Sequence, residues 1–499
     1  MRLNIVIGGK AGQGPNVLAE ILSKVLVNQG YYVFDSRSYQ SLIRGGHNFN
    51  HLTISDDQTR SNDFKIDIIV AIDENTVNVH SKELKKEGII LNSKHNNMYF
   101  AGRLFKLLCL DFKLLEQELG KLNKKMIKEN LANAKEGYTE EKRQYCQLLK
   151  KDKTSKGFMN GSEGVSEGSI KSGLDIFYSY PMTPATPVLV ELAQNQDKCN
   201  YLVLELENEL AIINAAIGSA MTGAKSMIGT SGGGFDLMTE ALSLTGIAEI
   251  PMVLYLAQRP GPATGLPTYT AQGDLNMARH AGHGEFTRML LAPGDPIECQ
   301  ELTSQSFYFS QKFKIPVILI SDKHLAESFY TITENPKIIQ SEKSTSLKRY
   351  NSYEKGRNGS ATDVPEVINK NIDDRNKKTA EIEKDSMIFD RYKIFGKKNS
   401  KNVILSWGST KGAVLDSIKD IDCKFIQILY IEPFPKEIEK EIKKEDNIIL
   451  IENNSTGQLA GVLAEKTGIF IDKKNKILRY DGRPFFADEL KKEIQRRLK

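Results

Sequence analysis

Three side chains in the middle of the chain have types and positions suited to chemistry at the end of a β-sheet. Glu209 follows an apolar run at 201–204 and opens a helix-period segment rich in Ala and Ile. We therefore expect its carboxyl to be partly buried near the carboxyl end of a strand, where ligands bind in α/β domains. A carboxyl held there can share a proton with a ring nitrogen. Glu209 also fits a plain first-turn residue favoured by the helix dipole, and the pattern leaves both readings open.

Thr183 and Arg259 occupy turns that follow other apolar runs. Thr183 lies between two prolines, whose rings fix the backbone and remove amide donors, so it is either a turn residue or a ligand contact. Arg259 comes just after the apolar run 250–256 and precedes Pro260. Its guanidinium emerges near a strand end, where it can bind a carboxylate through two hydrogen bonds. An ordinary surface arginine fits the same pattern.

The histidines and cysteines do not have the spacing of a metal centre. Glycines flank His283, which discourages a helix that would pair it with His280, so we expect both to pack in a loop and predict no metal ligand here. The cysteines are dispersed and odd in number, which argues for a reducing compartment and against disulfides. They also lack the close spacing that an iron–sulfur cluster requires. They are Cys109, Cys146, Cys199, Cys299 and Cys423.

Two glycine loops near the start of the chain can approach an anionic group. The loop at 8–15 follows a strand and opens a helix, but its glycines are not spaced as in a dinucleotide-binding fingerprint. It is a tight turn or a weak anion site at a helix N-terminus. In the second loop Arg44 stands beside Gly45 and Gly46, an arrangement that suits a phosphate or simple packing.

The elements that must position these residues are those of a multidomain α/β protein. Strand, special turn, helix, strand and glycine loop alternate through the middle of the chain, and the C-terminal part repeats strand and helix. The 499 residues carry 68 basic and 63 acidic side chains, a basic excess too small and scattered to predict nucleic-acid binding. No apolar run is long enough to cross a bilayer or form a signal peptide, so we expect a cytoplasmic protein.

Several motifs, taken in order, resemble the 2-oxoacid:ferredoxin oxidoreductases, and most closely an alpha subunit with a gamma domain fused in front, as in 2-oxoglutarate-type members. The gamma domain is resembled by two motifs, GGKAGQG and SLIRGGHN, and the family's substrate loop is resembled by YPMTPAT. ENELAIINAAIGSAMTGAKSMIGTSGGGF resembles the pyrimidine-binding domain, and QRPGPATGLPT and GHGEF the stretch after it. ILSWGSTKGA and IENNSTGQLAG resemble the C-terminal domain. Met182 stands where Ile is usual, and Gly233 where proline is frequent.

The resemblance implies five segments and a role for each candidate residue. The segments are a gamma-type doubly wound domain at 1–148, a linker at 149–160, a thiamine diphosphate (pyrimidine-binding) domain at 161–330, a charged connector at 331–398 and a transketolase C-terminal-like domain at 399–499. Glu209 matches the glutamate that bonds the cofactor's aminopyrimidine ring, and Thr183 and Arg259 match positions that hold the substrate. Further cofactor contacts are expected at Tyr180, Pro181, Ser231, Gly232 and Phe235, and coenzyme A contacts at Arg44, Gly45 and Gly46.

The resemblance further implies oxidative decarboxylation of a 2-oxoacid, most simply 2-oxoglutarate, to acyl-CoA and CO₂ with electrons passed to ferredoxin. The chain has no GDG motif and no cysteine cluster. A beta subunit is therefore expected to supply the diphosphate site, Mg²⁺ and a [4Fe-4S] cluster, in an alpha–beta dimer or a dimer of such dimers. A pyruvate or branched-chain 2-oxoacid substrate, a non-oxidative thiamine-dependent decarboxylase and a catalytically silent scaffold subunit remain alternatives.

Overall fold

A computed structural model of the chain describes residues 1–40, 46–121, 127–151, 157–344, 351–443 and 446–498. Its described strands form three sheets covered by helices, which confirms the predicted multidomain α/β class. The chain divides into two compact units. The first comprises residues 1–159, 328–334 and 486–492, and the second comprises 160–327, 335–485 and 493–499. Within the described ranges, no helix has both the length and the apolar composition needed to cross a bilayer.

The first unit is built on a mixed seven-stranded sheet. Its strands are β1 (Arg2–Lys10), β2 (Tyr32–Ser38), β3 (His47–Ser55), β4 (Ile66–Ala71), β5 (Leu84–Asn92), β6 (Gly157–Asn160) and β13 (Phe329–Ile332), in the order β5-β4-β1-β3-β2-β13-β6. Strands β1, β4 and β5 are parallel, whereas β3 runs antiparallel to β1 and β2. The helices assigned to this part of the chain are α1 (Pro15–Asn28), α2 (Glu74–His80), α3 (Asn97–Leu107), α4 (Phe112–Leu119) and α5 (Ile127–Glu140). Nearly every residue of β1 is buried, as expected for a strand covered on both faces.

The second unit contains the sheet that carries the candidate site. Its strands are β7 (Ile176–Ser179), β8 (Leu202–Glu205), β9 (Ser226–Thr230), β10 (Met252–Gln258), β11 (Met289–Leu291), β12 (Pro316–Asp322) and β17 (Tyr430–Glu432), in the order β17-β11-β12-β10-β9-β7-β8. All of them except β17 run parallel. The helices of this part are α6 (Gly161–Lys171), α7 (Thr186–Asn195), α8 (Glu209–Met221), α9 (Gly232–Leu237), α10 (Thr239–Ala248), α11 (Leu275–His280), α12 (Pro296–Phe313) and α13 (Lys323–Glu327). Strands β10 and β12 are buried at every position, because helices cover both of their faces.

The C-terminal part of the second unit forms a smaller sheet with the order β14-β16-β15-β18-β19. Its elements are β14 (Tyr392–Gly396), β15 (Asn402–Trp407), α15 (Thr410–Ser417), β16 (Lys424–Ile428), β18 (Asn447–Glu452), α16 (Gln458–Thr467) and β19 (Lys476–Leu478). Near the end of the chain, helix α17 (Ala487–Arg497) has residues in both units. The segment expected as a charged connector contains a 22-residue helix, α14 (Pro365–Ser386). Lys378 of α14 pairs with Glu249, so ion pairs contribute to holding this weakly apolar helix in place.

A buried charge cluster joins the C-terminal sheet to the central part of the second unit. Lys411 of α15 is 5% exposed and bonds Asp295 and, at 2.6 Å, Glu298 of α12. Lys393 of β14 bonds the same Glu298 at 3.0 Å. Burial acts to raise the pKa of Asp295, but Lys411 beside it holds that pKa well below the usual range. Each carboxylate therefore depends on a cation from the C-terminal part.

Replacing Lys411 by methionine should lower the free energy of unfolding of the second unit by about 3–5 kcal/mol, because it leaves Asp295 without its cation and removes one of the two cations beside Glu298. Urea denaturation followed by circular dichroism measures this change. The control is Lys397→Met, which breaks an exposed pair with Asp422 and should leave the unfolding midpoint near the wild-type value. Equal midpoints for the two variants would show that the buried cluster does not hold the two parts together.

Candidate active site

The sequence-predicted residues follow the carboxyl ends of four neighbouring parallel strands. In the order β10-β9-β7-β8, these strands lead to Arg259, Ser231, the turn with Thr183, and Glu209. Because parallel strands end at the same edge of a sheet, the four side chains are brought to one edge. Strands β7, β9 and β10 are largely buried, whereas β8, at the end of the sheet, is exposed at Leu202 and Glu205. The local sequence therefore indicates where each strand lies and where the candidate residue follows its carboxyl end.

Glu209 is the first residue of α8 and is 5% exposed. The helix is capped by Asn208, whose side chain accepts a hydrogen bond of 2.9 Å from the Ala211 amide, so Glu209 is not the cap. No described residue donates a hydrogen bond to the Glu209 carboxylate. It packs against Gly234, where a β-carbon would lie 2.9 Å from its Oε1. A buried carboxylate with this surface is suited to a ligand that brings its own donor.

Ser231 joins β9 to α9, and together with the first helical turn through Phe235 it forms the loop of the site. Ser231 is fully buried, and its Oγ has no hydrogen-bond partner among the described residues. Gly232 and Gly234 form part of the first turn of α9, with Gly234 against Glu209. Phe235 is fully buried within the hydrophobic core of the second unit, so it supports the loop from beneath. The loop thus presents a hydroxyl and bare backbone beside Glu209.

The turn after β7 and the end of β10 are joined by a hydrogen bond. Nη1 of Arg259 donates to the carbonyl oxygen of Thr183 over 2.7 Å. The other guanidinium donors have no acceptor among the described residues. Burial lowers the pKa of Arg259, and nearby Asp274 partly offsets this effect. At the front of the turn Tyr180 and Pro181 are exposed.

Asp274 is a site residue that the sequence did not single out. Its Oδ2 atom lies 2.5 Å from the position that a β-carbon on Gly232 would occupy. Burial raises the pKa of Asp274 to about 6, Arg259 acts against this rise, and Asp236 adds to it. The sequence signal was weak, because one Asp ahead of a short helix resembles a simple cap. Only the folded chain shows that this carboxyl faces Arg259.

The remaining candidates lie apart from this edge. Arg44 and Gly45 fall outside the described residues, and Gly46 has a φ of 130°, which favours glycine. These contacts with coenzyme A stay predictions. All five cysteines are free, and within the described ranges no three His, Cys, Asp or Glu side chains cluster as metal ligands. His280 and His283 line a shallow surface pocket with Asp236 and Glu240.

Comparison with known proteins finds matches along almost the whole chain. Residues 4–97 match the family described as "Pyruvate ferredoxin/flavodoxin oxidoreductase". Residues 167–391 match the family described as "Pyruvate flavodoxin/ferredoxin oxidoreductase, thiamine diP-bdg". The chain is 31% identical to the 2-oxoacid:ferredoxin oxidoreductase subunit alpha of Sulfolobus sp over an alignment of 613 residues, covering 99% of this chain and 96% of the relative.

Two further relatives extend the comparison. The 2-oxoglutarate synthase subunit KorA of Archaeoglobus fulgidus is 37% identical over 173 residues, 34% of this chain and 50% of the relative. The solved 2-oxoglutarate:ferredoxin oxidoreductase from Magnetococcus marinus, with 2-oxoglutarate, coenzyme A and succinyl-CoA bound, superposes with a TM-score of 0.87 over 100% of both chains. At 23% identity this likeness establishes the fold.

A parallel sheet with candidate binding residues at its carboxyl edge is typical of α/β enzymes, and the sequence matches place the chain in the ferredoxin-dependent oxidoreductase class. The chain belongs to the 2-oxoacid:ferredoxin oxidoreductase family, as an alpha subunit. This confirms the family resemblance drawn from the YPMTP and QRPGP motifs.

Proposed function

We propose that this chain is the alpha/gamma-fused subunit of an enzyme that oxidatively decarboxylates 2-oxoglutarate to its acyl-CoA and CO₂ and passes the electrons to ferredoxin. The observation that carries the proposal is the grouping of Glu209, Ser231, Arg259 and Thr183 at one sheet edge. Family membership supports the reaction class. The name of the KorA relative, a 2-oxoglutarate synthase subunit, supports the choice of substrate.

The residues beside Glu209 fit the aminopyrimidine end of thiamine diphosphate. The Glu209 carboxylate and the Ser231 hydroxyl are buried and have no hydrogen-bond partner among the described residues. A flat ring with its own donors and acceptors supplies the partners they lack. Gly234 leaves room at this point that a side chain would fill. Thiamine diphosphate, when bound, supplies the nucleophilic carbon and the electron sink for decarboxylation. Glu209 would hold and exchange a proton at the ring nitrogen.

Arg259 and Thr183 fit the substrate end of the site. Arg259 uses one donor to hold the Thr183 carbonyl, which fixes the guanidinium in place. Its free donors can bind the 1-carboxylate of a 2-oxoacid in the planar, two-bond geometry that arginine favours. The Thr183 side chain, half-buried in the same turn, can donate to the keto oxygen. These contacts would orient the carboxylate that leaves as CO₂.

We also propose that a beta subunit completes the site, with the diphosphate motif, Mg²⁺ and a [4Fe-4S] cluster. Large exposed apolar side chains that lie near the candidate residues along the chain support a covering partner, because such side chains gain from burial against another protein. Leu210 follows Glu209 and is 51% exposed, and Leu237 at the end of α9 is 53% exposed. Leu266, beyond Arg259, is 44% exposed.

The test is anaerobic co-purification of the chain with its partner, followed by 2-oxoacid-dependent reduction of a viologen dye in the presence of coenzyme A. The panel is 2-oxoglutarate, pyruvate and 2-oxoisovalerate. We expect 2-oxoglutarate to give the highest kcat/KM. Higher activity with either other acid would assign another substrate. Carbon dioxide release without dye reduction would support the non-oxidative decarboxylase, and failure to bind thiamine diphosphate would support the scaffold subunit.

A further inference from the structure

Asp274 stands where a helix cap belongs but does not act as one. It immediately precedes α11, yet its side chain accepts no hydrogen bond from the helix amides. Its carboxylate instead lies over Gly232, and no described residue donates a hydrogen bond to it. The Asp274 amide donates to Oε1 of Gln258, the neighbour of Arg259, over 2.9 Å. The residue is thus tied to the end of β10, with its charged group turned to the site.

The segment that carries Asp274 is pinned by the C-terminal part of the same unit. The Gln272 amide donates to the Asn453 carbonyl, and the Asn453 amide donates to Oε1 of Gln272, both over 2.8 Å. Nε2 of Gln458 donates to the Gly273 carbonyl over 2.7 Å. The IENNSTGQLAG motif supplies both of these partners. A single aspartate held from two sides, with no partner for its carboxylate, points to a role in the site and not in the local turn.

The charged groups that face Asp274 are Arg259 from the end of β10 and Asp236 from α9. Arg259 opposes protonation of Asp274, whereas burial and Asp236 favour it. These effects together put the pKa of Asp274 at about 6. One more nearby anion would raise this pKa further, so that Asp274 binds a proton near neutral pH. A substrate carboxylate on Arg259 would be such an anion.

We propose that Asp274 is the resident counter-charge of Arg259, which a substrate carboxylate replaces while Asp274 takes up one proton from solvent. This inference rests on the proposed function, in which Arg259 holds the substrate. Two carboxylates beside one guanidinium cannot both stay ionised without cost, so the proton neutralises the resident one. When the substrate carboxylate departs as CO₂, Asp274 releases the proton and its negative charge again offsets the positive charge of Arg259. Asp274 is thus a positioning residue that couples substrate affinity to pH.

The link between protonation of Asp274 and substrate binding predicts how KM changes with pH. Below about pH 6 Asp274 is already protonated in the free protein, so the KM for the 2-oxoacid should not depend on it. Above that pH, binding requires proton uptake, and KM should rise by up to about tenfold per pH unit until the pKa of the substrate-bound form is passed. Asp274 releases this proton only after the carboxylate has left, so kcat should not follow the same profile.

The experiment measures KM and kcat of the assembled holoenzyme from pH 5.5 to 8.5 for wild type, Asp274→Asn and Asp236→Asn. The first variant keeps the side-chain shape and should flatten the KM profile. The second removes an exposed negative neighbour, lowers the pKa of Asp274 and should move the rise in KM to lower pH. A wild-type KM without a rise, or an Asp274→Asn variant that keeps it, overturns the inference.

A binding measurement separates this inference from the proposed function and does not depend on the variants folding. A 2-hydroxy acid analogue cannot be decarboxylated, so its binding to wild-type holoenzyme can be followed by calorimetry in buffers of different ionisation enthalpy. Buffer-dependent heats that report uptake of up to one proton at pH 7 support the inference even where turnover fails. Buffer-independent heats of binding overturn this inference alone, whereas no binding of the analogue overturns the proposed substrate role of Arg259 and the inference with it.

Discussion

Replacing Glu209 by glutamine should lower 2-oxoacid-dependent dye reduction by about 10²- to 10⁴-fold, the range expected when a positioned acid–base group is lost. Glutamine keeps the size of the side chain but cannot exchange a proton with a ring nitrogen. Because Asn208 and not Glu209 caps α8, the helix should stay intact. The loss should therefore appear in kcat of the assembled enzyme, with little change in the melting temperature of the apo chain.

Glu207→Gln is the matched control, since Glu207 lies two residues earlier and is exposed. It should keep near wild-type activity. Adding thiamine diphosphate should raise the melting temperature of the wild-type complex more than that of Glu209→Gln, because ligand binding stabilises in proportion to affinity. Retention of more than a tenth of wild-type activity by Glu209→Gln would remove Glu209 from the reaction.

The parts of the site that the sequence revealed are those with a local signature. An apolar run followed by proline, glycine or an isolated charge marks a strand end, and parallel strands bring such ends together. Thr183 and Arg259 have this signature, Glu209 is recognised as the start of a helix after an apolar run, and Ser231 is expected only from the family resemblance. In the structure the four residues follow four neighbouring strands. Their chemical roles stay predictions that the proposed variants test.

What the sequence did not reveal depends on distant partners. Asp274 is surrounded by Gln258 and Gly232 and is held by residues from the C-terminal part of the chain. One of these is Asn454, whose side chain donates to the Gln272 carbonyl, 182 positions earlier in the sequence. No periodicity in the segment records these contacts. Helix α14 was missed for the same reason. Its buried residues are few, and its position depends on ion pairs with other elements, which a pattern of single residues does not show.

Gly234→Ala should reduce activity by about 10²-fold although the change adds one methyl group, since small displacements of a catalytic group carry costs of this order. The new β-carbon would lie 2.7 Å from Cγ and 2.9 Å from Oε1 of Glu209, and closer still to Oγ1 of Thr230. The backbone does not require glycine here, because Gly234 does not have a positive φ. The carboxylate of Glu209 must therefore move, while the helix itself gains from alanine.

The adjacent Gly233→Ala provides the control, because nothing lies within 4 Å of its added β-carbon. It should keep wild-type activity and unfolding midpoint, whereas Gly234→Ala should also lower the midpoint because its β-carbon crowds buried Thr230. If Gly234 acts only through Glu209, adding Gly234→Ala to Glu209→Gln should cause no further loss of activity, since residues acting as one unit are not additive. A full additional 10²-fold loss in the double variant would mean that the methyl group added at position 234 excludes the cofactor or substrate directly.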